Sequence, residues 1–265
     1  MSNNKLIAIL RLKNFASASL LVPFAVALAG CAAGSTTVGT TGSTTQASTG
    51  EAMYRSAVSS ALRTADDKRS DSYRKPVEFL GFAGVRPGMQ VMDVSSGGGN
   101  TTQLLALAVG SSGRVYAQGQ SARPALDKRL ADSPQPNIIV VTRPFDDPVP
   151  PGTPPLDLVT INLSYHDIAN LPIDRLGMDR RLFAALKPGG HLVVIDHASA
   201  TGTGITTTST LHRIEAAQVR SDFEQAGFRL EQSGDYLRNP ADDRSRKTSE
   251  MEHITDRFAL RFVKP

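Results

Sequence analysis

The stretch VMDVSSGGGN (Val91–Asn100) runs from an apolar, β-branched segment through three consecutive glycines into a stretch with helical character. Glycine at 97, 98 and 99 allows positive φ and lets backbone approach a ligand with no Cβ in the way. Asn100 or Thr101 can cap the helix that follows. Open parallel sheets bind ligands at the carboxyl ends of their strands, near the point where strand order reverses. Asp93, at the end of the apolar run, therefore marks the place to look for a ligand.

Outward from this turn, apolar runs alternate with amphipathic stretches, which predicts β and α elements in succession. Strands are expected at Gln90–Val94, Arg114–Gln118, Asn137–Val141, Asp157–Asn162, His191–Asp196, Phe228–Gln232 and Phe258–Val263. Helices are expected at Asn100–Ala108, Pro124–Ala131, Asp174–Leu186 and Leu211–Ala226, with Gly227 placed to end the last. The first five strands are nearly unbroken apolar runs, as in a parallel sheet covered on both faces. The fold class is thus α/β: a Rossmann-like open sheet of seven strands, mostly parallel, with an antiparallel C-terminal edge and helices on both faces. Residues 51–84 read as a helical cap, with Met53, Ala57, Ala61, Phe79, Leu80 and Phe82 as its apolar contacts.

A dinucleotide fingerprint is disfavoured. Aligning Gly97 and Gly99 with its first two glycines puts Thr102 at the third, and Gln118 stands where a ribose-binding acid belongs. An acid at the strand end followed by alternate glycines instead resembles the first motif of class I S-adenosylmethionine-dependent methyltransferases, with Ser95 at a position usually glycine. The resemblance extends from about Arg69 to Lys264. It is strongest to a group of predicted bacterial methyltransferases, through Arg74-Lys75-Pro76, Asn162-Leu163-Ser164-Tyr165-His166-Asp167 and Leu237–Asp243. The resemblance implies S-adenosylmethionine as cofactor, with Asp93, Ser95, Gly97 and Gly99 at its methionine end and Gln118 near its ribose. Asp146 and Asp147 stand where relatives often place an acid against adenine; they read equally as solvated loop carboxylates. Lys187-Pro188-Gly189-Gly190 is the usual helix-to-strand turn.

Tyr165, His166 and Asp167 follow the fourth strand, where the transferred methyl would face its acceptor. They offer a hydroxyl, a base near neutral pKa and an orienting carboxylate. The alternative is a packed tyrosine, a loop histidine and a helix cap. Asn162 and Tyr165 share the spacing of an amine-holding motif whose two prolines are here Leu163 and Ser164, so that role is not carried over; Asn162 is kept as a cofactor-side residue. His197 either lines the acceptor pocket or bonds a loop. Arg238, Asn239, Asp242 and Asp243 read as a structural turn. His166, His191, His197, His212 and His253 are scattered without close pairs, so no metal site is expected.

The first thirty residues have a basic start (Lys5, Arg11, Lys13), an apolar run from Phe15, and small residues before Cys31, the parts of a secretory signal. Phe15–Gly30 spans 16 residues and contains Pro23, short of the roughly 20 needed to cross a membrane. Leu28-Ala29-Gly30-Cys31 resembles the lipobox of bacterial lipoproteins, which implies acylation of Cys31, the chain's single cysteine. Three acyl chains hold a protein on a membrane firmly. Ala32, in place of an aspartate, implies the periplasmic side of the outer membrane. Residues 32–50, uncharged and rich in Gly, Ser and Thr, read as a flexible tether, so the domain begins at Glu51.

Without Lys5, Arg11 and Lys13, 26 of the 29 basic residues remain against 25 acidic ones, so the net charge of +4 over 265 residues belongs mostly to the signal. No clustered basic face is legible and nucleic acid is not an expected partner. The acceptor and the oligomeric state are not written in the sequence. Three readings stay open: methyl transfer, a ligand-binding protein that keeps the fold without turnover, and, weakest, a nicotinamide-dependent oxidoreductase.

Overall fold

The computed structural model describes residues 42–251 and 255–265. The signal, Cys31, residues 32–41 of the tether and His253 lie outside the described residues. Seven strands form one sheet in the order β3-β2-β1-β4-β5-β7-β6. They are β1 (Gln90–Val94), β2 (Arg114–Gly119), β3 (Ile138–Thr142), β4 (Leu156–Asn162), β5 (Leu186–His197), β6 (Arg229–Gly234) and β7 (Arg257–Val263). β1 to β5 pair in parallel; β7 is reversed and lies between β5 and β6, pairing antiparallel with both.

Alternation along each strand sends side chains into two apolar layers. Val91, Leu158 and Val193 face one layer with Leu80, Leu105 and Val109, while Met92, Val159 and Val194 face the other with Phe223, Phe228 and Phe262. The chain leaves β1 towards β2 and β3, then returns to β4 on the other side of β1. The switch point thus lies between the carboxyl ends of β1 and β4.

Helices α1 (Gly42–Ser59), α2 (Ala65–Arg74) and α3 (Pro76–Ala83) form the expected cap. α1 starts at Gly42, inside the segment read as tether. Its second half is held by buried Ala57 and by the Tyr54 hydroxyl donating to Val85 O at 2.9 Å, and a helix once nucleated propagates at little cost. Thr64 and Asp67 make a reciprocal capping box at the start of α2. α4 (Asn100–Val109), α5 (Pro124–Asp132), α7 (Arg175–Ala185) and α9 (Ala216–Gln225) are crossover helices; α6 (Tyr165–Ile168) and α8 (Thr208–Leu211) are single turns absent from the sequence reading.

Two expected boundaries move. α7 ends at Ala185, because Leu186 pairs with Leu156 as the first residue of β5. The helix expected from Leu211 begins only at Ala216: His212 takes φ +52°, Ile214 bridges to Ala198, and the fully buried Arg213 guanidinium donates to Asp242 at 2.8 and 3.2 Å. The polar loop 238–243 is structural, as its composition suggested: Arg238 and Arg244 both pair with buried Asp256.

Beneath α6, the Tyr165 hydroxyl lies 3.1 Å from Asp179 of α7 and 3.0 Å from Asp222 of α9. Burial, with the nearby Asp222 charge, outweighs the Tyr165 hydrogen bond and pushes the Asp179 carboxyl up to about 8. A carboxyl with a higher pKa folded than unfolded binds more protons in the folded chain, so its contribution to stability declines as pH rises from about 4 to 8. Asp179→Asn should remove that decline and leave the protein more stable than wild type by at least about 1 kcal/mol at pH 8.5, with little difference at pH 4, as read by urea unfolding.

Candidate functional site

At the carboxyl ends of β1 and β4 lies a cavity of about 350 Å³, floored by Ser95–Gly98 and walled by Arg74, Asn162 and Asp167. The volume falls within the range of small-molecule sites. The turn takes the left-handed conformation at Ser95 (φ +57°), Gly97 (φ +52°) and Gly99 (φ +83°). The two alternate glycines serve different ends. A Cβ at Gly99 would sit 2.6 Å from Leu126 Cδ1, so glycine there lets α5 pack on the turn. A Cβ at Gly97 would meet nothing nearer than Ser95 O at 4.0 Å. Gly97 therefore leaves its space free on the cavity side.

Ser95, a non-glycine residue in this conformation, is held by Gln118. The Gln118 Oε1 accepts from Ser95 N at 3.2 Å, its Nε2 donates to Arg143 O at 2.8 Å, and its backbone O accepts from Ser96 N at 2.8 Å. Gln118 is fully buried. The ribose contact expected of it is not what the fold makes of it: its amide is engaged in holding the turn against the end of β3. Asp93 lines the cavity beneath the turn, buried, and its carboxylate accepts from Thr102 at 2.6 Å and Thr160 at 2.9 Å. Burial outweighs these two hydrogen bonds and lifts its carboxyl to about 6.

Asp147 pairs with Arg143 and with Arg181 and is about half exposed, matching the solvated-loop alternative; Asp146 beside it is partly exposed. Asn162 reaches towards Thr101 Oγ1 at 3.5 Å from the cavity wall. α2 is fastened over the turn by Asp67, which pairs with Arg129 at 2.5 Å and accepts from Asn100 Nδ2 at 2.7 Å, while Arg129 Nε donates to Gly98 O at 2.7 Å. Arg74, in the last turn of α2, thereby stands over the cavity, and its buried Nε has no hydrogen-bond partner. Ser164 Oγ, in the opposite wall, is also buried and unpartnered. Neither residue was singled out for a role by the sequence; the signals available were the Arg74-Lys75-Pro76 triplet and the Asn162–Asp167 stretch that contains Ser164.

The Tyr165-His166-Asp167 triplet divides among three environments. Tyr165 is fully buried in the core and points away from the cavity, so its hydroxyl is not placed for chemistry. His166 is buried, its Nδ1 2.7 Å from Asp196 Oδ1 and its Nε2 3.2 Å from Asp167 Oδ1. Burial opposes the charge, but hydrogen bonds to Asp167 and Asp196 prevail and raise its pKa to about 10. With both nitrogens engaged and the ring protonated near neutral pH, His166 offers no lone pair to an acceptor; Asp167 reaches the cavity instead. His197 takes the loop alternative: its Nδ1 meets Thr255 Oγ1 at 2.8 Å, and burial together with the Arg257 and His166 charges pushes its pKa down to about 2. His212, remote in sequence, sets Nδ1 3.1 Å from Asp167 Oδ1.

No protein-family profile matches the sequence, and no curated protein matches it. Solved structures do match. A SAM-dependent methyltransferase from Aquifex aeolicus superposes with a TM-score of 0.57 at 19% identity, covering 77% of this chain and 97% of that one. An S-adenosylmethionine-dependent methyltransferase from Mesorhizobium loti gives 0.53 at 16% identity, covering 73% and 99%. The fold is that of the S-adenosylmethionine-dependent methyltransferases. Within that methyltransferase fold, the glycine turn occupies the switch point and Gln118 holds it.

Replacing Gln118 by Leu would leave Ser95 N and Arg143 O unsatisfied, each loss worth about 1–3 kcal/mol. Gln118→Leu should lower the unfolding free energy by about 2–4 kcal/mol in chemical denaturation. A change of less than about 0.5 kcal/mol would mean that the turn holds its shape without the amide.

Proposed function

We propose that this chain transfers a methyl group from S-adenosylmethionine to an acceptor held at the Asp167 end of the cavity, and that it does so as an exported protein anchored to a membrane through acylated Cys31. The observation that carries the catalytic reading is the cavity itself: a left-handed glycine turn at the switch point, open above Gly97, with two buried polar atoms, Arg74 Nε and Ser164 Oγ, left without partners in its walls. Buried polar atoms are ordinarily satisfied. A polar ligand with a carboxylate and hydrogen-bonding groups would satisfy both, and S-adenosylmethionine is of that kind.

When bound, S-adenosylmethionine supplies a sulfonium-activated methyl group. The chain's own residues then bind and orient. Arg74 would pair with the ligand's carboxylate, which a guanidinium can grip through two parallel hydrogen bonds. Gly97 admits the ligand against bare backbone, and Asn162 and Ser164 bound its flank. Asp67, through Arg129 and Asn100, keeps α2 and Arg74 over the turn. Asp167, held by His166 and His212, faces the acceptor and can accept a hydrogen bond from its reacting O–H or N–H. Displacement at a methyl group is governed chiefly by proximity and alignment, which such a rigid cavity provides.

A second reading is favoured by Gln118 and Asp93, whose polar atoms are engaged within the chain: a ligand-binding protein that keeps the fold without turnover. Export rests on the sequence of residues 1–31. Among the described residues no helix is long and apolar enough to cross a membrane.

Titration calorimetry of the full chain with S-adenosylmethionine, its demethylated product and NAD tests the cofactor. Heat is expected with the first two and none with NAD; a folded protein silent to the first two overturns the proposal. Arg74→Ala should weaken binding about 10- to 100-fold, and Gly97→Leu should abolish it. Binding without methyl transfer to any of a panel of hydroxyl, amine and carboxylate acceptors would select the second reading. Anchoring is checked by labelled palmitate incorporation in a bacterial host, expected for the wild type and lost in Cys31→Ser.

A further inference from the structure

We propose that His166, Asp167 and His212 form a binding site for a divalent transition-metal ion at the acceptor end of the cavity. The three residues can each present one ligand atom within 4.8 Å of the other two. Asp167 Oδ1 is 3.2 Å from His166 Nε2 and 3.1 Å from His212 Nδ1. With metal–ligand bonds of about 2.0–2.1 Å, the edges of a coordination tetrahedron measure roughly 3.3 Å. Two of the three edges are therefore close to size in the folded chain.

The surroundings are those of a built site. His166 is held on its far side by Asp196, which is fully buried: Oδ1 meets Nδ1 at 2.7 Å and Oδ2 accepts from His166 N at 2.8 Å. A buried carboxylate on Nδ1 fixes the ring so that Nε2 points at the proposed ion, the arrangement that metal-bound histidines characteristically show. His212 is set from the other side. It takes φ +52°, and its neighbour Arg213 is fully buried on Asp242, so the loop that carries the imidazole is anchored one residue away. The His166 and His212 rings stand edge to face with centroids 5.5 Å apart, leaving Asp167 between them.

Two imidazoles and one carboxylate suit zinc and its first-row neighbours rather than magnesium or calcium, which favour all-oxygen shells. The Asp167 and His212 side chains are 57% and 37% exposed, so the outer side of the site is open to a further ligand, as a catalytic rather than a structural ion requires. Asp167 also lines the cavity. Binding would place the ion where Nε2 and Asp167 otherwise share a proton, and that proton would pass to solvent. The existence of the site does not depend on methyl transfer. Its use does rest on that reading: an acceptor hydroxyl bound through oxygen at the open position would give up its proton to solvent more readily, and its oxygen would form the new C–O bond as the methyl–sulfur bond breaks, the sulfur keeping the electron pair and leaving as the neutral thioether of the demethylated cofactor.

The test uses the full chain, stripped with chelator and titrated with Co²⁺ followed by visible absorbance, then with Zn²⁺ by calorimetry. One equivalent should bind, with d–d bands reporting nitrogen and oxygen ligands. His212→Ala and His166→Ala should each weaken binding at least about tenfold, and Asp196→Asn, a positioning change, about 10- to 100-fold. His191→Ala, in the middle of β5 and six residues before its carboxyl end, should leave it unchanged. Absence of binding to the folded chain, or binding that His212→Ala does not weaken, overturns the proposal; His212 is partly exposed on a loop, so that variant stays informative even if changes at buried Asp196 impair folding. Parallel titrations with S-adenosylmethionine report the cofactor reading separately, so metal binding without cofactor binding sinks the one and supports the other.

Discussion

Gln118 carries a constraint on which the carboxyl edge of this sheet depends. A backbone that turns sharply through left-handed geometry at Ser95, Gly97 and Gly99 exposes N–H groups that the strands no longer satisfy. The Gln118 amide and backbone take two of them and tie the turn to β3 through Arg143 O. Because the residue is fully buried, each of those bonds lies away from competing water, and its loss would leave unsatisfied groups rather than hydrated ones. The cavity over Gly97 keeps its shape for this reason, and Arg129 reinforces it from α5 through Gly98 O.

Around this turn, ion pairs work chiefly as positioning devices. Asp67 with Arg129 brings the helical cap over the cavity, and Arg213 with Asp242 fixes the loop that brings His212 to Asp167. Buried pairs of this kind recover little net free energy after desolvation, but breaking one leaves an uncompensated charge. The same physics explains the Tyr165 side of α6. Tyr165 and His166 are neighbours on a single helical turn, and their side chains diverge, one to the carboxyls of Asp179 and Asp222 and the other to those of Asp196 and Asp167. Successive residues on a helix point about 100° apart: Tyr165 therefore parts from the other two, while the His166 and Asp167 side chains still meet at 3.2 Å.

The sheet was legible because its signals are local. β-branched runs, a glycine turn and alternating burial marked β1 at Gln90–Val94 to the residue, and placed the other six strands with shifts of mostly one or two residues at their ends. The start of β5 at Leu186 was missed, since its pairing with Leu156 is a tertiary event. The helix misread from Leu211 failed for a related reason: residues 211–215 have acceptable helical composition, and what breaks the helix is the bridge of Ile214 to Ala198 and the burial of Arg213. Sequence spacing also hid the histidine cluster, because 45 residues separate Asp167 from His212.

The sequence by itself determined the open α/β sheet, the glycine turn at the head of α4, and the place of Asp167 just beyond the fourth strand, since propensity, periodicity and turn chemistry act over a few neighbours. Tertiary structure alone decided that Gln118 holds the turn, that Tyr165 belongs to the core, that Arg74 and Ser164 face the cavity, and that His212 meets His166. Those outcomes depend on which faces of distant segments come together. They are set by burial and by the need to satisfy polar groups once buried, and neither can be counted until the chain has closed on itself.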